Sequence, residues 1–172
     1  MKELLFIHIP KNAGRNIKNR LMHLNFQSMG HKPVFKRPDY KSKYTFAVVR
    51  NPWERELSLW SHFGRSFDIM LYLKTAISGW PSRPSDSAPT LPVITLNQCD
   101  YICIDGKIAV DKILRFEYLQ SDLNKMLEEL DYPPIKLTHT HKGHYDKAEL
   151  TSEARNIISS LREKDIELWE SL

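Results

Sequence analysis

The amino-acid sequence predicts an α/β domain built around a central, mainly parallel sheet. Three observations lead there. Apolar, β-branched runs at 4–9, 44–49 and 112–116 alternate with segments whose apolar residues recur at helical spacing. The 172-residue length suits one domain, 1–172, able to bury roughly 70% of its unfolded surface with no metal or disulfide staple. The composition, 41% hydrophobic and 27% charged, is that of a globular chain and excludes disorder and collagen-like repeats.

Leu4-Leu-Phe-Ile-His-Ile9 is a buried-strand candidate stopped by Pro10. Lys11-Asn-Ala-Gly-Arg-Asn16 is a polar, glycine-containing turn, and from Arg15 the spacing of Ile17, Leu21, Met22 and Leu24 predicts a helix. Residues 25–43 are mixed, with one short strand expected near Val34-Phe35. Tyr44–Val49 is the second clear strand. Arg50-Asn51 close it, and Pro52 starts a helix on which Trp53, Leu57 and Trp60 repeat at helical spacing. The two tryptophans are expected to pack that helix on the sheet. A further helix is expected over 67–77. Residues 79–96 hold Pro81, Pro84, Pro89 and Pro92 among serines and read as an exposed loop within the domain. Asp105-Gly106 marks a turn between 101–104 and 107–110. A third strand over 112–116 leads to a helix over 118–130, which Pro133-Pro134 end, and Thr151 or Ser152 caps a last helix over 152–163.

The net charge of +4 is unevenly spread: residues 1–50 carry eleven basic and two acidic residues, a balance of +9, and the rest stands at −5. A basic third on an otherwise acidic chain points to a local anion site, not to a uniform nucleic-acid coat. No aromatic-interleaved basic stripe supports nucleic acid either. The longest apolar run, Leu4–Ile9, falls far short of the roughly 20 residues a membrane span needs, and no secretory signal is visible. Cys99 and Cys103 cannot frame a disulfide scaffold, so the expected setting is reducing and cytoplasmic.

Two constellations carry chemistry. In the first, a strand runs into a tight loop and then a helix N-terminus, which offers aligned backbone N–H donors and a positive dipole end. Lys11 adds a point charge, and Ala13-Gly14 lets the backbone approach an anion. The Walker pattern GxxxxGK[ST] is absent. In the second, Arg50 stands at the carboxyl end of a strand, where open α/β sheets bind ligands, and Ser58 lies about two helical turns further on. An arginine fork and a hydroxyl so placed can bind a second phosphate.

These blocks resemble the nucleotide-sulfate-dependent sulfotransferases, particularly their carbohydrate branch. Phe6-Ile-His-Ile-Pro-Lys-Asn-Ala-Gly-Arg-Asn-Ile17 is similar to the family's phosphosulfate loop, usually His-Ile-Pro-Lys-Thr-Ala-Gly-Thr-Ser. Phe46-Ala-Val-Val-Arg-Asn-Pro-Trp-Glu-Arg-Glu-Leu-Ser58 is similar to its phosphate-binding strand and helix. A third block, from Asn97-Gln98 through Asp105-Gly106-Lys107 to Val110-Asp111-Lys112-Ile-Leu-Arg-Phe-Glu-Tyr-Leu119, resembles its later core. The resemblance implies a P-loop-like three-layer fold and 3′-phosphoadenosine 5′-phosphosulfate (PAPS) as donor; no metal is expected, since no His/Cys spacing fits a standard ligand set. It implies that Lys11 and the backbone of Asn12, Ala13, Gly14, Arg15 and Asn16 hold the phosphosulfate, and that Arg50 and Ser58 hold the 3′-phosphate. The loop departs from the family where Asn12, Arg15 and Asn16 replace hydroxyl residues.

Sulfuryl transfer needs charge stabilisation at the departing phosphate, the role given to Lys11, and a base for the acceptor hydroxyl, for which histidine is the usual type near neutral pH. His31, in Gly30-His31, resembles the Gly-His element that carries the base in some glycan sulfotransferases and is the first choice; His62 and then Glu54 follow. His8 reads as a satisfied strand histidine and His23 as a surface one. His139, His141 and His144, with Cys99 and Cys103, match no standard metal-ligand spacing. Lys142-Gly143 fits a loop over the nucleotide, and Trp80 either stacks on an acceptor ring or packs at an edge. The expected activity is transfer to a hydroxyl of a glycan or small metabolite. The alternatives are a small P-loop-like kinase and a non-catalytic nucleotide- or nucleic-acid-binding module.

Overall fold

A computed structural model describes residues 2–64, 68–78, 96–138 and 145–172. Nearly all of the expected 79–96 loop, with Trp80, and the stretch holding His139, His141, Lys142-Gly143 and His144 lie outside the described residues. The elements begin β1 (Leu4–Ile7), α1 (Gly14–Leu21), β2 (Phe26–Ser28), β3 (Tyr44–Val49), α2 (Pro52–Leu59) and α3 (Ile69–Ser78). They continue α4 (Gln98–Ile102), β4 (Cys103–Ile104), β5 (Lys107–Ile108), β6 (Lys112–Arg115), α5 (Leu119–Glu129), α6 (Ser152–Leu161) and α7 (Glu163–Glu170). They fall into two units, Met1–Arg50 with Gln98–His141, and Asn51–Asn97 with Lys142–Leu172.

The first unit carries the predicted sheet, four strands in the order β2-β1-β3-β6, all parallel. Residues of both parities in β1 and β3 are buried, as a parallel sheet with both faces covered requires. On one face Leu4, Phe6, Phe46, Val48 and Leu114 meet Ile17 and Leu21 of α1 and Leu119, Leu123, Met126 and Leu127 of α5. Each such buried aliphatic contributes about 1.5–3 kcal/mol. Asp111 fixes the entry to β6, its Oδ2 accepting from the Thr45 N–H and hydroxyl at 2.7 Å each.

Local chemistry explains where structure and expectation part. The short strand in 25–43 is Phe26–Ser28, held by pairing with β1, and Val34–Lys36 is a single 3₁₀ turn after Pro33. Residues 98–102 form a helix, so the hairpin shrinks to Cys103–Ile104 against Lys107–Ile108. Its two turn residues, Asp105 (φ 49°) and Gly106 (φ 72°), are both left-handed, as the turn that matches strand twist demands.

The second unit is helical around Leu57, Leu59, Ile69, Tyr72, Leu73, Leu150, Ala154 and Ile158. Trp53 and Trp60 pack on this helical cluster, and the Trp53 indole N–H donates to Ser159 Oγ of α6 at 3.2 Å. Buried within the unit, Arg162 Nε donates to Glu56 Oε1 at 2.6 Å, and Arg55 lies 3.7 Å from Asp165. The helix expected over 152–163 ends at Leu161, and α7 follows it.

Candidate active site

Parallel strands end at one rim, and the order β2-β1-β3-β6 puts the topological switch between β1 and β3, where open α/β sheets bind ligands. Across that rim stand His31 after β2, the 8–13 loop after β1, Arg50 after β3 and Phe116 after β6. The two predicted anion-binding segments and the first-choice base therefore share one edge of the first unit.

The loop departs from ordinary backbone geometry. Lys11 (φ 68°) and Ala13 (φ 58°) are both left-handed without being glycine, a conformation costing about 1–3 kcal/mol each and concentrated at functional sites. Such residues build the backbone concavities that collect N–H donors around anions. α1 starts directly on this loop with Ala13 as its cap, so no cap side chain occupies its first N–H groups. Burial holds the Lys11 ammonium below its usual pKa, and the nearby Arg50 and Arg15 cations push it the same way.

The two loop amides bind the framework. Asn12 is fully buried, and its Nδ2 donates to Val48 O at 2.7 Å and to Gln98 Oε1 at 2.6 Å. Asn16 Nδ2 donates to Thr138 O at 2.7 Å, and the Thr138 N–H reaches back to Asn16 Oδ1 at 3.5 Å.

Arg50, only 5% exposed, is fixed along its length. Gln98 Oε1 accepts its N–H at 2.9 Å, and Gln98 Nε2 donates to its carbonyl at 2.8 Å. Its guanidinium lies over the Phe116 ring, 4.2 Å from the centroid, and donates from Nη1 to Lys11 O at 3.2 Å.

The histidines lie beside the loop. His31 Nδ1 is 3.2 Å from His8 O; a carbonyl only accepts, so Nδ1 carries the proton and Nε2 keeps its lone pair. Although His31 is exposed overall, partial burial of its ring lowers its pKa, against a smaller upward pull from the bond to the His8 carbonyl. His8 falls to about 4, chiefly through burial and then through repulsion by His31 and Lys18. Both rings are neutral at physiological pH.

Of the other candidates, Ser58 lies on α2 in the second unit and is 5% exposed. Glu54, on the same helix, pairs with Lys147 at 2.5 Å, and His62 lies in the π-helical turn after it. Among the described residues no group of three or more His, Cys, Asp or Glu could hold a metal ion, and no helix is long and apolar enough to cross a membrane.

The model of the sulfotransferase family matches residues 1–170. The chain belongs to the sulfotransferase family. No curated protein and no solved structure matches it. Sulfotransferases move a sulfuryl group, and the Lys11–Arg15–Arg50 rim has the polarity that an anionic donor demands. In this sulfotransferase, residue-by-residue reading passed over Gln98 and Phe116. Phe116 had a signal: it follows a third parallel strand and so must reach the same rim. Gln98 had none, because its role depends on contacts 48 and 86 residues away.

Proposed function

We propose that this sulfotransferase moves the sulfuryl group of PAPS to a hydroxyl of a glycan or small glycosylated metabolite. The observation that carries the reading is the cationic rim, where Arg50 and Arg15 both oppose the Lys11 charge beside a left-handed, cap-free helix start. An anion bound there relieves that repulsion. PAPS, when bound, supplies an activated sulfuryl group and a phosphate leaving group. Lys11 and the backbone N–H groups of 12–16 hold the phosphosulfate, and the Lys11 ammonium steadies charge on the departing oxygen. Arg50 holds the 3′-phosphate, a role the resemblance also gives Ser58. His31 Nε2 takes the proton of the acceptor hydroxyl, and the lowered pKa keeps that nitrogen unprotonated at neutral pH. The likeness of Gly30-His31 to the Gly-His element of glycan sulfotransferases supports the acceptor class. Two cysteines, Cys99 and Cys103, too few for a disulfide framework, fit a reducing, cytoplasmic setting.

Thermal shift with 3′,5′-bisphosphoadenosine, AMP and magnesium-ATP tests this. At a hundred times its dissociation constant the bisphosphate adds about 2.7 kcal/mol, a rise of roughly 5–10 °C in a chain of this size. The rise should need the 3′-phosphate and vanish in Arg50→Ala. A shift with magnesium-ATP alone, or none with any ligand, overturns the reading.

A further inference from the structure

His8 touches both halves of the proposed chemistry. Its ring stacks on Phe6, with centroids 5.5 Å apart, and packs against His31 at a tilt of 45°, with centroids 4.3 Å apart. Its carbonyl accepts from His31 Nδ1. On the loop side the ring presses on Gly14, where a Cβ would come within 1.7 Å of Nε2 and 1.8 Å of Cδ2. Gly14 itself has no positive φ, so backbone freedom does not explain a glycine there. The space it leaves is filled by the imidazole. On the other side Gly30 (φ 62°) turns the chain after β2 and brings His31 back over His8.

We propose that His8 is a positioning residue for the acceptor base, seated against Gly14 of the donor loop and holding His31 with Nε2 free for the acceptor. The proposal rests on the reading of His31 as base. The His8 carbonyl selects the His31 tautomer, and the His8 ring fixes the plane of its neighbour and keeps water from one face. Seating the ring on Gly14 ties the base to the loop given to the donor, so their separation is set within one packed unit. The charged or titratable groups acting on His8 are Lys18 of α1 and His31, and both favour a neutral ring. A charged His8 would repel a protonated His31, so neutrality of the positioning ring suits a base that gains a proton at each turnover.

The test is nitrogen-15 NMR of the imidazoles in the full chain, for wild type, His8→Phe, His8→Ala and Gly14→Ala, with thermal melts to confirm folding. Wild type and His8→Phe should show His31 as the Nδ1–H tautomer with a lowered pKa. His8→Ala keeps the backbone carbonyl, so it should keep the tautomer while moving the His31 pKa upward by at least half a unit as water reaches the bared ring; Gly14→Ala, whose Cβ displaces the His8 residue itself, should move the pKa likewise and also mix the tautomers. The acid limb of kcat/KM should move with it. If the His31 tautomer and titration are the same in His8→Ala and Gly14→Ala as in wild type, the positioning role is refuted. If only Gly14→Ala folds, it alone decides by the same criterion. Failure of the base reading looks different: His31 responds in the NMR as stated, yet His31→Ala keeps full turnover.

Discussion

Replacing Gln98 with leucine removes a clamp whose strength can be worked from its bonds. Arg50 is the first residue past β3, so its N–H and carbonyl are at the strand end, and the Gln98 side chain supplies both partners. The same Oε1 also accepts from Asn12 Nδ2 of the loop. Gln98 is fully buried, and leucine of similar volume leaves an N–H and a carbonyl of Arg50 and one amide hydrogen of Asn12 without it. A buried polar group deprived of its partner costs about 1–3 kcal/mol. The three share one network, so their losses do not add in full, and leucine recovers part through apolar burial. We expect a loss of about 3–5 kcal/mol, a large share of the roughly 5–15 kcal/mol that holds a domain. With an m-value of about 2 kcal/mol/M, the urea midpoint should fall by about 1.5–2.5 M. A loss under about 1 kcal/mol with unchanged m would mean that water or a neighbour replaces the amide, and would refute the clamp.

Phe116→Leu should weaken 3′,5′-bisphosphoadenosine about 3- to 30-fold, the equivalent of a shielded cation–π contact, while AMP binding changes little and Phe116→Tyr restores affinity; titration calorimetry reads both ligands. The His8 pKa of about 4 lies below the ordinary value of 6.5, so the unfolded chain takes up a proton first. Its contribution, about 2–3 kcal/mol after allowing for partial exposure, is complete above pH 6.5 and lost as pH falls towards 4. Urea midpoints of His8→Phe should therefore fall less than those of wild type between pH 7.5 and 4.5, and parallel curves would contradict the buried neutral ring.

Strand periodicity made most of the fold legible. Tyr44–Val49 and Lys112–Arg115 are long enough, and apolar enough, to declare themselves, and Pro52 marks a helix start without help from tertiary contacts. Phe26–Ser28 did not, because three residues carry no period and the strand exists through its pairing with β1. The rim was legible in part for the same reason. Lys11 and Arg50 follow strands whose ends can be read locally, whereas the bond from Arg50 to Lys11 O and the His8–His31 ring contact form only once β2, β1 and β3 lie side by side.

The loop's departures from hydroxyl residues then acquire a physical reading. A primary amide carries a donor and an acceptor in one plane and can pair both backbone groups of another residue, which a hydroxyl matches poorly. Asn16 does so with Thr138, as Gln98 does with Arg50, and Asn12 joins the end of β3 to Gln98. The amides at 12 and 16 therefore stiffen the platform instead of reaching for a ligand. On the proposed reading, donor binding would then fall to the backbone N–H groups, to Lys11 and to the exposed Arg15, whose guanidinium brings charge where the loop it resembles has a hydroxyl. A loop held by amides and strained at Lys11 and Ala13 loses little freedom when an anion arrives, and this preorganisation makes its fixed charges effective.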